Sequence, residues 1–193
     1  MPVASPNSRV ESIAHPRRVF SRSEVLAYPS PAPNSSGVYG WYFRVIPHVI
    51  DAGQCNQVNG LRLMYVGIAP RRAAGSKATL RSRLRNHYRG NAEGSTLRLT
   101  LGCLLGLELR RVGGGKVMTF GPAEADLSKW MGDNAFVTWV EDAEPWLLES
   151  ILISKFNLPL NLDQNTQHPF HASLGKLRRD ARRRALMLPI YSA

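Results

Sequence analysis

The chain has 193 residues, 44% of them hydrophobic, with 25 Lys and Arg against 14 Asp and Glu, a formal net charge of +11 and a pI near 10.4. That is room for one domain with extensions and a sizeable core. No stretch is long enough to span a membrane, the first 36 residues lack the apolar run of a signal peptide, and two cysteines, Cys55 and Cys103, argue against a disulfide framework.

Residues 1–33 read as an irregular arm closed by the turn-rich "YPSPAPNSSG". Residues 37–46 and 61–68 read as two strands, pairing antiparallel across a long connection. Thr79 suits the N-cap of a helix at 80–89 that Gly90 ends, and Ser95 caps a second helix. A hairpin around three glycines follows at 107–120. Then come a short helix from Pro122, a strand "AFVTWV", a patterned helix at 145–156, a loop, and a basic tail that reads as helical. Strands and helices mix without βαβ regularity, so the expected class is α+β. The expected division is an arm at 1–33, a domain at 34–170 and a tail at 171–193.

The positive charge is unevenly placed. Arg71, Arg72, Lys77, Arg81, Arg83, Arg85 and Arg89 fall within 71–89 with no acid among them. Lys176, Arg178, Arg179, Arg182, Arg183 and Arg184 face a single Asp180 in the tail. Two basic blocks and a high pI favour nucleic acid over an anionic membrane. No Cys/His cluster has zinc-site spacing. A reducing, intracellular setting, cytoplasmic or nucleoid-associated, is the default, and no obligate protein partner is evident.

Two helices carry residues that their patterning makes unusual. In the first, Leu80, Leu84 and Tyr88 form the packing stripe, and Arg81, Arg85 and Arg89 take the solvated side. Arg83 and His87 stand i, i+4 on a face that borders the stripe. In the second, Glu149 falls inside the apolar arc of Trp146, Leu148, Leu152, Ile153 and Phe156. A buried carboxylate must be neutralised by a cation, be protonated or line a cavity, because leaving it unpaired costs about several kcal/mol. Strand alternation puts Tyr39 with Gly37, Trp41 and Phe43, and Tyr65 with Leu63 and Gly67. Tyr42 points the opposite way.

These residues resemble the GIY-YIG nuclease superfamily. Gly37-Val38-Tyr39 matches its first motif and Tyr65-Val66-Gly67 its second. Arg83-Leu84-Arg85-Asn86-His87 matches an Arg-hydrophobic-x-x-His pattern, Glu149 a lone helical glutamate, and Asn161 a loop asparagine. The resemblance covers about residues 36–165, with valine for isoleucine in both motifs, a longer loop between the tyrosines, and an insert at 107–134. It implies a small, mainly antiparallel three-stranded sheet flanked by helices, and hydrolysis of DNA with one divalent ion, Mg²⁺ or Mn²⁺, on Glu149. It further implies that Arg83 clamps the phosphate, Tyr39 acts as general base, Tyr65 orients water or phosphate, His87 accepts a proton or holds Tyr39, and Asn161 fixes the geometry. The remaining cations of the two basic blocks would contact the nucleic-acid backbone, and RNA stays open beside DNA. The motif glycines would let backbone or substrate approach closely. A nucleic-acid-binding module with the same fold and no turnover is the alternative. "HPFH" at 168–171 reads as a packed loop, and "RVGGGKV" as a hairpin tip.

Overall fold

The fold follows from two strands that bury both faces. The computed structural model describes residues 6–70, 76–113, 115 and 117–192. In chain order the elements are α1 (Pro6–Ala14), α2 (Arg22–Leu26), β1 (Gly37–Phe43), β2 (Gln57–Val58), β3 (Leu61–Ala69), α3 (Leu80–Arg89), α4 (Thr96–Leu104), β4 (Arg110–Arg111), β5 (Met118–Thr119), α5 (Ala123–Asn134), β6 (Ala135–Glu141), α6 (Pro145–Lys155) and α7 (His171–Met187). β1 is buried along its whole length because β3 and β6 pair with it antiparallel on either side and helices cover both faces. The sheet order is β2-β3-β1-β6, four strands where three were expected, since a two-residue β2 adds to the N-terminal end of β3. β4 and β5 form a separate hairpin.

The two faces hold two cores. Val10 and Ile13 of α1 and Leu148, Leu152 and Ile153 of α6 pack on Val38, Tyr42, Leu63 and Val66. On the other face Leu80, Leu84 and Tyr88 of α3, with α4, α5 and α7, cover Tyr39, Trp41 and Phe43. Burying such a side chain contributes about 1.5–3 kcal/mol relative to leaving it exposed.

Two expectations are corrected here. The stretch read as an irregular arm carries α1 and α2. Val10, Ile13 and Ala14 are fully buried, and Arg9 of α1 pairs with Asp142 at 2.5 Å. The proline- and serine-rich composition concealed a short amphipathic helix. Leu63 does not share the face of Tyr65. The pairing steps from Trp41↔Tyr65 to Tyr42↔Leu63, so Met64 is the extra residue of a β-bulge, and the alternation resets there. Leu63 therefore packs with Tyr42.

α3 starts where Thr79 accepts from the Ser82 N–H and Ser82 reciprocates, and α4 starts at Ser95, which accepts from the Arg98 N–H. Arg98 itself is fully buried. Its guanidinium donates to Glu124 Oε2 at 2.6 Å, to the Glu124 carbonyl at 2.9 Å and to the His87 carbonyl at 3.3 Å. One ion pair thus joins the end of α3 to α4 and to α5 in the insert.

Candidate active site

Tyr39 and Gly67 are direct partners across β1 and β3. A Cβ added at Gly67 would lie 2.7 Å from the Tyr39 hydroxyl and 2.8 Å from Cζ, so glycine leaves the space that the tyrosine ring fills. The room at this glycine serves a side chain of the protein, where an approach of backbone or substrate was expected. Gly37 answers to a similar need, because a Cβ there would collide with the Val140 carbonyl of β6.

Behind Tyr39 stands His87, fully buried where a face bordering the packing stripe was expected. Tyr39 Oη and His87 Nε2 are 2.8 Å apart, and His87 Nδ1 and Ser95 Oγ are 2.7 Å apart. The imidazole is held from both sides, and Trp41 meets it edge-on with ring centres 5.7 Å apart. Its tautomer decides whether Tyr39 donates or accepts, so the chain Ser95–His87–Tyr39 is a path along which a proton can be held or moved.

The C-terminal half of β3 has β1 on one side and, among the described residues, no strand on the other, since β2 reaches only Leu61 and Arg62. Asn161 closes this edge. Its Oδ1 accepts from the Val66 N–H and its Nδ2 donates to the Val66 carbonyl, both at 2.9 Å, as a neighbouring strand would. Beside the clasp opens a cavity of about 360 Å³. Tyr39 and Tyr65 from the sheet, Arg83 from α3, Glu149 from α6 and Asn161 from the following loop all line it. His87 sits one layer back. Glu149 is half-buried, as the apolar arc around it requires. Arg83 is half-buried too. Its Nη1 lies 3.5 Å from the Gly94 carbonyl, and its Nε is buried with no hydrogen-bond partner among the described residues.

The expected backbone-contacting cations divide. Lys77 and Arg89 are exposed and Arg85 half-exposed. Arg81 departs from its expected solvated position: its Nε donates to the Ala32 carbonyl at 2.7 Å, because the loop before β1 folds over α3. Lys176, Arg179, Arg182, Arg183 and Arg184 are exposed on α7, where Lys176 and Arg183 pair with Asp180 at 2.6 and 3.3 Å. Arg178 is different and lines the cavity. Arg71 and Arg72 lie outside the described residues. Sequence reasoning took Ser95 for a cap alone and Arg178 for one cation among several. For Arg178 a signal existed: it falls on the stripe of Leu174, Ala181 and Ala185, which are buried.

The cavity offers oxygen donors, with no cluster of three or more His, Cys, Asp or Glu among the described residues. Such a set suits a hard cation that keeps most of its waters, and does not suit a closed protein cage. No helix among the described residues is long and apolar enough to cross a membrane.

Comparison with curated proteins and with solved structures finds no match. The family model of the GIY-YIG catalytic domain matches residues 37–180, from the start of β1 into α7 and so beyond the 36–165 span of the motifs. With that match spanning most of the sequence, on an antiparallel sheet flanked by helices, the chain belongs to the GIY-YIG catalytic-domain family and has its nuclease-type fold.

Proposed function

We propose that the protein is a metal-dependent endonuclease that hydrolyses DNA phosphodiester bonds, with the cavity beside β3 as its active site. One observation carries the reading: two tyrosines, a guanidinium and a carboxylate from four separate elements line a single cavity. Members of such a family take nucleic acid as substrate and typically use divalent ions.

In this reading Tyr39 Oη is the general base toward the attacking water, and His87 Nε2 takes up or shares the proton across their 2.8 Å contact. Arg83, whose buried Nε has no hydrogen-bond partner among the described residues, holds the scissile phosphate. Tyr65 orients the water or the phosphate. Asn161 keeps β3 in place, so that Tyr65 and Gly67 hold their positions. Glu149 would hold Mg²⁺ or Mn²⁺, and the bound ion would supply charge neutralisation at the phosphate and the leaving oxygen. Lys77, Arg85, Arg89 and the exposed cations of α7 would add sequence-independent contacts to the strand, and Arg71 and Arg72 belong to the same proposal. Both cysteines are free and buried, which accords with the intracellular, cytoplasmic or nucleoid-associated setting we include in this reading.

The test is nicking of supercoiled plasmid in Mg²⁺ or Mn²⁺, with Glu149→Ala beside the wild type. The expected result is relaxation by the wild type and a loss of about a hundredfold or more in the variant. Equal cutting by both, or no cutting by either while both still retard DNA, would make the chain a nucleic-acid-binding module on a nuclease fold. A panel of supercoiled, branched, flapped and single-stranded substrates, RNA included, then defines the preferred one.

A further inference from the structure

The cavity holds a second guanidinium. Arg178 of α7 lines it together with Arg83 of α3, 95 positions earlier in the chain. Both side chains are half-buried, and each has a buried Nε without a hydrogen-bond partner among the described residues. Neither has a carboxylate within 4 Å among the described residues, although Asp163, in the same lining, is close enough to act on Arg178 through space. Burial holds the Arg178 pKa below the ordinary arginine range, and Arg182 one turn on adds to this.

The two guanidinium groups share a cavity whose lining also holds Glu149 and Asp163, yet neither carboxylate comes within 4 Å of them among the described residues, so their donors can still take a phosphate. Arg178 also occupies an inner position of α7, between Leu174 and Ala181, where a small apolar residue would pack more simply. It lines a second cavity of about 470 Å³ as well, with Thr96 as the other residue common to both. Arg182 lines that second cavity, so the two basic side chains continue from the first cavity along α7.

We infer that Arg178 forms a second phosphate subsite, which holds the phosphate next to the one at Arg83, and that the strand leaves the active site along Arg178 and Arg182. The ligand class is a nucleic-acid strand with two consecutive phosphates. The inference rests on the nuclease reading of the same cavity. It separates Arg178, with Arg182 beyond it, from Lys176, Arg179, Arg183 and Arg184, whose contacts depend only on overall charge. Arg178 is a binding residue here, and the guanidinium fork suits a phosphate better than an ammonium does.

The experiment is calorimetric titration, without divalent metal, of thymidine 3′,5′-bisphosphate and of thymidine 5′-monophosphate into the full chain. The wild type should bind the bisphosphate about tenfold more tightly than the monophosphate. Arg178→Gln should bring the two within about threefold by weakening the bisphosphate alone. Arg178→Lys should restore part of the difference, and Lys129→Ala, an exposed loss of equal charge on α5, should change neither. Because Arg178 has no ion pair within 4 Å among the described residues, the melting temperature of Arg178→Gln should not fall below that of the wild type, and a fall would overturn the unpaired-charge premise. Equal weakening of both ligands would mean that the two arginines share one phosphate, and no weakening would mean that Arg178 takes no part. Either result overturns the inference. Plasmid nicking with Glu149→Ala judges the nuclease reading separately, since a chain that never cuts DNA could still show the bisphosphate preference.

Discussion

Tyr39 fills the space that Gly67, its partner across the sheet, leaves empty: a Cβ at Gly67 would stand 2.7 Å from the Tyr39 hydroxyl. The two motifs are thus one packing unit. Gly67→Ala should push the ring off its 2.8 Å contact with His87. We expect plasmid nicking to fall by about a hundredfold, since misplacement of a reacting group by about 1 Å has that effect. Stability should fall by about 1–3 kcal/mol from overpacking. Wild-type nicking by Gly67→Ala would show that the Tyr39 hydroxyl does not need this position.

Tyr42 lies three residues from Tyr39 and serves a different purpose. Its hydroxyl donates to the carbonyls of Ile13 and Ala14 at 2.8 and 2.9 Å, and burial drives its pKa upward. Tyr42→Phe should leave nicking close to wild type and lower stability by about 1–3 kcal/mol, because two carbonyls at the end of α1 lose a partner. Tyr39→Phe should show the reverse pattern, with an intact fold and a rate loss of about 10²–10⁴-fold. Rate measurements and urea melts on the pair decide the matter, and equal rate losses would undo the assignment of Tyr39.

Asn161 needs both ends of its amide. Asn161→Asp keeps an acceptor for the Val66 N–H but sets a carboxylate oxygen against the Val66 carbonyl. Facing an acceptor, the carboxyl prefers its proton, so its pKa should be raised in the folded state. The destabilisation should then be larger at pH 7 than at pH 4, where the protonated group can donate again. Asn161→Ala should cost about 1–3 kcal/mol with no such dependence beyond that of the wild type. Thermal melts at the two pH values test this, and parallel curves for both variants would refute the clasp.

His168 gives the wild type a pH dependence of its own. Its Nδ1 accepts from the Phe170 N–H at 3.0 Å, and its Nε2 meets Asn157 Oδ1 at 2.6 Å, which fixes the neutral form with the proton on Nε2. Burial, then His171, lowers its pKa from the ordinary 6.5. A histidine whose folded pKa is lowered adds stability that is present above its unfolded value and lost as pH falls through the folded one. The melting temperature should therefore drop on going from pH 7 toward pH 5, and His168→Gln should flatten that part of the curve. An unchanged slope in the variant would place the effect elsewhere.

Much of the local structure was legible because local rules determine it. The caps at Thr79 and Ser95, the stripe of Leu80, Leu84 and Tyr88, and the costly position of Glu149 all follow from helix period and hydrogen-bond demand within one segment. The face of Leu63 was misread because a single extra residue, Met64, inverts the alternation, and a bulge leaves no mark in composition. Arg81 was misread because the Ala32 carbonyl that receives it comes from 49 positions upstream. α1 was missed because its burial depends on a sheet that does not yet exist when residues 6–14 are read alone.

By itself the sequence determined which residues carry chemistry and which segments pair or coil, because side-chain type, periodicity and capping act over a few residues. Tertiary structure alone decided which of those residues meet. It stacked Ser95, His87 and Tyr39 in one hydrogen-bonded line, turned Asn161 onto the bare edge of β3, and brought Arg178 from the last helix to the same cavity as Arg83. Those relations depend on how strands and helices pack across long stretches of chain, where the geometry of the whole core sets each distance.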